Sequence, residues 1–319
     1  MNLAKLLSAA TFVLLFPQLC FAQAYPAKVV RIITGSPGSS VDLTSRVIAT
    51  RLQDRLGQPV IVEARAGGAT AVAAVVVAQS PPDGYTLLLF PNQITINPAV
   101  IKDLPYDPLK DFAAIGRVGY LLIGIAVNPS VPAASMAELL ALAKAKPGAL
   151  RYGTPGVASP HHLSMEYVIR EKGMPITHIP YNQAPVVIAD LVAGRIELGM
   201  SGLAPLLPMV QSGRIRMLAV LGSVRSPLMP EVPALKEFGV EGLESPWAGL
   251  WAPGNTSADI VTRLNRELNT VLAIPEVQEA LLKLGTTVSP SSVQEFNAQM
   301  RSEVERWRKV VADAGIQQK

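Results

Sequence analysis

Short apolar runs rich in Val and Ile alternate with longer stretches of helical periodicity along almost the whole chain. Few folds accommodate such an alternation. Each helix returns the chain to a neighbouring strand, which builds sheets covered by helices. "VVRIITG" runs into a helix with Leu43, Val47, Ile48, Leu52 and Leu56 at helical spacing, stopped by Gly57 and Pro59. "VIVEARAGGAT" followed by "AVAAVVVAQS" repeats the theme, and "PPDGYTLLLF" supplies a turn and a third strand. Further on, "LLIGIAVNPS" precedes Ser135-Met136-Ala137-Glu138, a capping box ahead of the helix "AELLALAKAKPG". "LRYGTPGVASPHHLSMEYVIREKG" is again strand, small loop and helix. "ITHIPY", "IELGMSG" and "IRMLAVLG" add three short strands, and the chain ends in helices. With 319 residues and no internal repeat, this pattern predicts two α/β lobes. The helical tail most simply packs back onto the first lobe.

Three of the strand-to-helix loops share one design: "TGSPGSSVD", "RAGGATA" and "YGTPGVASPHH". Each is rich in small residues and opens a helix. Backbone N–H groups at a helix N-terminus attract anions, and small residues let a ligand approach that backbone closely. In α/β sheets such loops lie at the carboxyl ends of the strands, where ligands collect. One loop of this kind says little; three, spread over both lobes, point to a binding cleft. Asp42 sits at the start of its helix, where it complements the helix dipole, fixes the loop or meets a polar group on a ligand. Trp247 and Trp251 in "ESPWAGLWAP" read as core packing or as a wall of the cleft.

The first residues, "MNLAKLLSAATFVLLFPQLCFAQA", have the form of an export signal. Lys5 is the positive region, an apolar core follows, and Ala22-Gln23-Ala24 is a small-x-small cleavage site. Cleavage after Ala24 and a periplasmic location are expected. Pro17, Gln18 and Leu19 ahead of Cys20 do not give the small residues that lipid attachment needs. Cleavage also removes the only cysteine, which leaves the mature chain without disulfide or thiol chemistry. The formal net charge is +4, with Lys and Arg scattered along helices, so no nucleic-acid footprint is present.

Enzymatic readings find little to stand on. The chain has no GxGxxG and no GxxxxGK[ST], hence neither nucleotide cradle. "GMSGL" around Ser201 lacks the last glycine of GxSxG. Only three histidines are present, His161, His162 and His178, and adjacent residues on a helix do not share a face. Neither a catalytic group, a metal site nor a cofactor is therefore expected. His162 is expected to cap or line its loop, and His178 to pack within its strand.

Taken in order, "YPAKVVRII", "LGQPVIVEARAG", "PPDGYTLLL", "INPAV", "LPYDPLKDFAAIGRV", "AVNPS", "HIPY", "DLVAGRIELG", "LAVLGSVRSPLMPEVP" and "WAGLWAPG" carry a resemblance. Together with the loop "LRYGTPGVASPHHLS", they closely resemble the substrate-binding proteins of tripartite tricarboxylate transporters, the Bug (Bordetella uptake gene) family. The resemblance covers essentially the whole mature chain. It implies a type II periplasmic binding protein fold, two α/β lobes joined by crossing strands with a ligand cleft between them. The lobes would comprise residues 25–124 and 249–319 for the first and 125–248 for the second. It implies a small organic mono- or dicarboxylate as ligand, membrane permease subunits as partner, and a monomer. By matching motifs, Gly38, Ser39, Ser40 and Asp42 take the first-loop positions, and Gly67, Gly68, Ala69 and Thr70 the second. Thr154, Gly156, Ser159 and His162 take the loop of the other lobe, with Tyr181 and Ser201 lining the cleft.

The chain departs from the family pattern at several of these positions. Thr34-Gly35 and Gly38-Ser39 replace a Pro-Phe and paired glycines, Ala69-Thr70-Ala71 replaces an amide, and Asn182-Gln183 follows "PY" where Lys-Gly is common. Ser201 stands where an acidic residue is frequent. Fewer acidic groups offer less to a substrate ammonium, so a carboxylate without an amino group is expected. Two readings compete with uptake: a ligand-reporting partner of a sensor kinase, and an exported hydrolase or lyase acting on a small acid.

Overall fold

Two of the small-residue loops, the first and the third, end at serine helix caps, Ser39 and Ser159. The protein is seen in a computed structural model that describes residues 25–35, 37–65, 71–157 and 159–314. The expected export signal, the second loop (Gly67, Gly68, Ala69, Thr70) and Ala158 lie outside the described residues. Strand β1 (Val30–Thr34) leads to helix α1 (Ser40–Leu56). Ser39 caps α1 by accepting a hydrogen bond from the Asp42 N–H at 3.2 Å. Gly57 ends it in the left-handed conformation (φ +67°), which a residue without Cβ adopts freely. Strand β2 (Val60–Ala64), α2 (Ala71–Ala78), β3 (Thr86–Pro91), α3 (Gln93–Val100) and β4 (Phe112–Leu121) complete the first excursion.

The second excursion comprises β5 (Ile123–Val127), α4 (Met136–Ala145), β6 (Arg151–Pro155), α5 (Pro160–Lys172), β7 (Thr177–Tyr181), α6 (Ala184–Val192), β8 (Leu198–Gly202), α7 (Leu203–Gln211) and β9 (Arg216–Val220). The chain then returns through β10 (Trp247–Pro253), α8 (Ala258–Leu272), α9 (Pro275–Lys283), β11 (Thr286–Val288) and α10 (Val293–Ala314).

The strands form two sheets. The first runs β11-β4-β10-β3-β1-β2, with β1 parallel to both β2 and β3, and β10 antiparallel to β3 and β4. The second runs β7-β6-β8-β5-β9, with β6 parallel to β7 and β8, and β5 antiparallel to β8 and β9. Strand β3 reads Thr-Leu-Leu-Leu-Phe and is buried on both faces, as a central strand between two helical layers must be. Leu87 and Leu89 face the cluster of Ile48, Leu52 and Leu264; Leu88 and Phe90 face that of Trp247, Trp251 and Phe296. The second sheet has its own two clusters, one around Tyr152, Met165 and Leu218 and one around Val187, Leu191 and Leu206. Two separate cores give the two lobes expected from the alternation.

Only Leu122 separates β4 from β5. Its N–H donates to the Gly285 carbonyl and its own carbonyl accepts from the Leu203 N–H, both at 2.8 Å, so the crossover is stitched to both lobes. The last helix packs along α3 and β4. It also goes further. Trp307 and Val311 join Ile96, Ala99 and Val100 of α3 and Leu163 of α5, so the apolar stripe of α10 reaches the second lobe as well.

Candidate functional site

The first loop is held by its own helix. Gly38, at φ +71°, donates its N–H to Asp42 Oδ2 at 2.9 Å, and Arg46 holds the same carboxylate from one turn on, at 3.2 and 3.3 Å. Asp42 is buried (2% exposed) and fully engaged in this way. It thereby fixes the loop in which Ser39 and Ser40 stand. Ser39 is the helix cap. Ser40 faces the other lobe: a Cβ built at Gly202 would lie 3.9 Å from Ser40 Oγ. The N-terminus of α1 and the end of β8 thus meet across the two sheets, and Gly202 leaves the space between them open.

Ser201 precedes that glycine and pairs with Gly124 of β5. It is buried, and its Oγ has no hydrogen-bond partner. Three more buried polar atoms without a partner stand at strand termini of the first sheet: Thr34 Oγ1 ends β1, Asn92 Oδ1 follows β3, and Trp247 Nε1 begins β10. Asn92 and Trp247 are neighbours, for the Asn92 N–H donates to the Trp247 carbonyl at 2.8 Å. Unpartnered buried polar atoms are rare, because each carries an uncompensated desolvation cost. Their place at the ligand-collecting edge of the sheets marks these side chains as candidate contacts. Sequence reasoning named Thr34 only as a departure from the family's first loop and did not name Asn92, since nothing in their residue type distinguishes a satisfied hydroxyl or amide from an orphaned one. Trp251 is plain core: its Nε1 donates to Met300 Sδ at 3.0 Å. Trp247 packs its ring on Phe296 but leaves its N–H unused.

The second lobe gathers Thr154, Gly156, Ser159 and His162 at the end of β6 and the start of α5. Ser159 caps α5 by accepting from the His162 N–H at 3.2 Å. Thr154 is fully buried, donates to the Gly156 carbonyl at 3.4 Å and stands 2.8 Å from His178 Nε2. His178 stacks on His162 (centroids 3.9 Å apart, planes 17° apart) and tilts against Tyr152 at 4.8 Å. His162 Nε2 lies 3.6 Å from Glu166 Oε1, which also accepts from the Tyr152 hydroxyl. Burial, and next the neighbouring His162, lower the His178 pKa to about 4, so its ring is neutral near pH 7. The hydrogen bond with His162 holds Glu166 below the usual carboxylate range. The expectation that His178 packs within its strand is met by its stacking; its contact with Thr154 was not foreseen.

Tyr181 is placed elsewhere. Its ring covers Gly153, where a Cβ would come within 2.8 Å of it, and its hydroxyl donates to Asp190 Oδ2 at 2.8 Å. Asp190 is in turn paired with Arg195 at 2.7 Å. Burial, then that hydrogen bond, raise the Tyr181 hydroxyl to about 12. Its polar end is committed to α6 rather than to the Thr154 cluster. Among the described residues there is no group of three or more side chains suited to hold a metal, and no helix long and apolar enough to cross a membrane.

The first loop thus sets a helix N-terminus beside the end of β8, and the second lobe gathers the hydroxyls of Thr154 and Ser159 at the end of β6 and the start of α5. Comparison with known proteins gives the chain a family. Residues 44–316 match the sequence profile of the tripartite tricarboxylate transporter family receptors. The chain belongs to that family. It is 33% identical to the protein BugT of Bordetella pertussis, over 93% of both chains. A solved R. palustris protein with adipate is 31% identical, with a TM-score of 0.84 over 92% of this chain and all of that one. The periplasmic binding protein BugD is 26% identical, with a TM-score of 0.82 over 92% of this chain and all of that one. Members of the family are periplasmic binding proteins rather than enzymes, and this chain is a solute-binding protein with their two-lobe fold.

Proposed function

We propose that this chain captures a small organic mono- or dicarboxylate between its lobes and delivers it to the permease subunits of a tripartite tricarboxylate-type transporter. The observation that carries this is the approach of Ser40 to Gly202, which puts a helix N-terminus of one lobe against the strand ends of the other. The relative solved with adipate supports the ligand class. The ligand lies among Gly38, Ser39 and Ser40 on the first lobe and Thr154, Gly156, Ser159 and Ser201 on the second, and Gly68, Ala69 and Thr70, outside the described residues, are further ligand-binding residues by their motif. Asp42 and His162 set its loops. The lobes divide at the crossovers between β4 and β5 and between β9 and β10. The protein acts as a monomer in the periplasm after removal of residues 1–24. Leu43, Val72, Val157 and Val186 are exposed apolar residues at or beside helix starts, on the strand-end side of both lobes, and they suit a docking face for the permease.

A ligand that binds only the folded state raises stability by RT ln(1 + [L]/Kd), about 2.7 kcal/mol at a hundred times Kd. A thermal-shift screen of mono- and dicarboxylates, adipate included, should give at least one clear upward shift that survives a chelator. Shifts from sugars, metals or cationic amines alone would contradict the proposal.

A further inference from the structure

Thr154 poses a proton-counting problem. Its hydroxyl carries one proton, yet it makes two polar contacts, to the Gly156 carbonyl at 3.4 Å and to His178 Nε2 at 2.8 Å. A carbonyl only accepts, so Thr154 is the donor there. Both contacts are hydrogen bonds at once only if His178 gives its own Nε2–H to Thr154. The geometry points to His178 as a positioning residue: it donates through Nε2–H to Thr154 Oγ1 and so keeps the threonine proton off the imidazole, on the long Gly156 carbonyl contact without ligand and transferable to a carboxylate oxygen when the ligand binds. This rests on the carboxylate reading above and extends it from the loop to the strand behind it.

The surroundings fit the role. The two residues stand diagonally on adjacent strands, since the parallel register of β6 and β7 sets His178 opposite Tyr152 and Thr154 opposite Pro180. The ring of His178 cannot swing away, being stacked on His162 and against Tyr152. These two neighbours are themselves tied by Glu166, which takes the Tyr152 hydroxyl and faces His162 Nε2. An imidazole held neutral has one N–H, and which nitrogen carries it decides what Thr154 can offer. With the proton on Nδ1, His178 Nε2 would accept the threonine proton and turn only lone pairs toward an anion. With the proton on Nε2, Thr154 becomes a donor to the anion. The same frame explains why β6 and β7 carry a Thr and a His in contact although 24 residues separate them in the chain.

Protein labelled with ¹⁵N at histidine alone, correlated with its carbon-bound ring protons at pH 7, reads the tautomer directly, and the H178Q spectrum identifies the signals. The expected result for the unliganded parent is a neutral ring with Nε2 protonated. A Nδ1–H tautomer, an even mixture or a charged ring would overturn the assignment. Affinity for adipate supplies the second readout. Gln carries an N–H at the Nε2 position, so H178Q should bind within about threefold of the parent. Asn places its amide at the Nδ1 position and Phe has no donor, so H178N and H178F should lose about ten- to a hundredfold, the worth of a hydrogen bond to a charged group. Equal losses for all three would sink the positioning role. If the parent binds no carboxylate, the proposed function fails, while the ring-nitrogen spectrum still decides the tautomer.

Discussion

His178 is the residue whose charge state the fold controls most visibly near the site. Its folded pKa, about 4, lies below the ordinary value near 6.5. Between these two values the unfolded chain binds the proton and the folded chain does not, so stability falls as pH drops from about 6.5 to about 4 and levels off below. His161 is shifted in the same direction by desolvation. Urea unfolding at fixed pH steps should show that decline, and H178Q should flatten it without abolishing it. An unchanged slope in H178Q would show that the ring is not desolvated as described.

Ser201 gives a sharper residue-scale expectation. Its buried Oγ has no partner, so deleting it removes a desolvation cost and no hydrogen bond. S201A should leave the unfolding midpoint of the unliganded protein unchanged or slightly raised, while weakening carboxylate binding about tenfold or more. A midpoint lowered by several degrees with binding intact would mean that the hydroxyl is structural. Ser39, Ser40, Thr154 and Ser159 were legible because small and hydroxyl residues between a strand and a helix announce a cap or an anion cradle. Ser201 and Tyr181 came from the family resemblance rather than from pattern. The orphaned Thr34, Asn92 and Trp247 atoms were not legible, because satisfaction of a hydrogen bond is a property of neighbours in space.

At the scale of elements, helix starts were the most readable feature. Ser292 and Glu295 form a reciprocal capping box ahead of α10, each side chain accepting from the other's backbone N–H at 2.8 and 3.1 Å. The first box is looser. Ser135 accepts from the Glu138 N–H, but Glu138 reaches back one residue further, to the Ala134 N–H at 2.7 Å. The reach of α10 to the second lobe was hidden, since an apolar stripe tells that a helix packs but not against how many partners. Trp307 is the centre of that contact, buried against α3 and α5 with its Nε1 donating to Glu303 Oε2 at 2.7 Å. W307A should cost about 3–5 kcal/mol in denaturant unfolding, the usual range for emptying a buried Trp site. A loss below about 1 kcal/mol would show the end of α10 to be an accessory rather than a part of the inter-lobe packing.

At the scale of the whole molecule, the alternation of strands and helices already implied two lobes, because two separate sets of strands each needed a helical cover. The crossover at Leu122, tied to Gly285 on one side and Leu203 on the other, lets the chain pass between sheets with its backbone groups satisfied. What the pattern could not supply was the meeting of Ser40 with Gly202, which depends on how the two sheets stand relative to one another. A ligand held by one lobe alone would not favour a closed form, since closure needs contacts that differ between the two states. The most direct measurement is therefore calorimetric titration of S40A and T154V with the carboxylate that the thermal screen selects. Each variant, one per lobe, should bind about ten- to a hundredfold more weakly than the parent; without ligand S40A should unfold at nearly the parent's temperature and T154V a few degrees lower, because His178 Nε2 loses its partner. Parent-like affinity in either variant would contradict capture of the ligand between the two lobes.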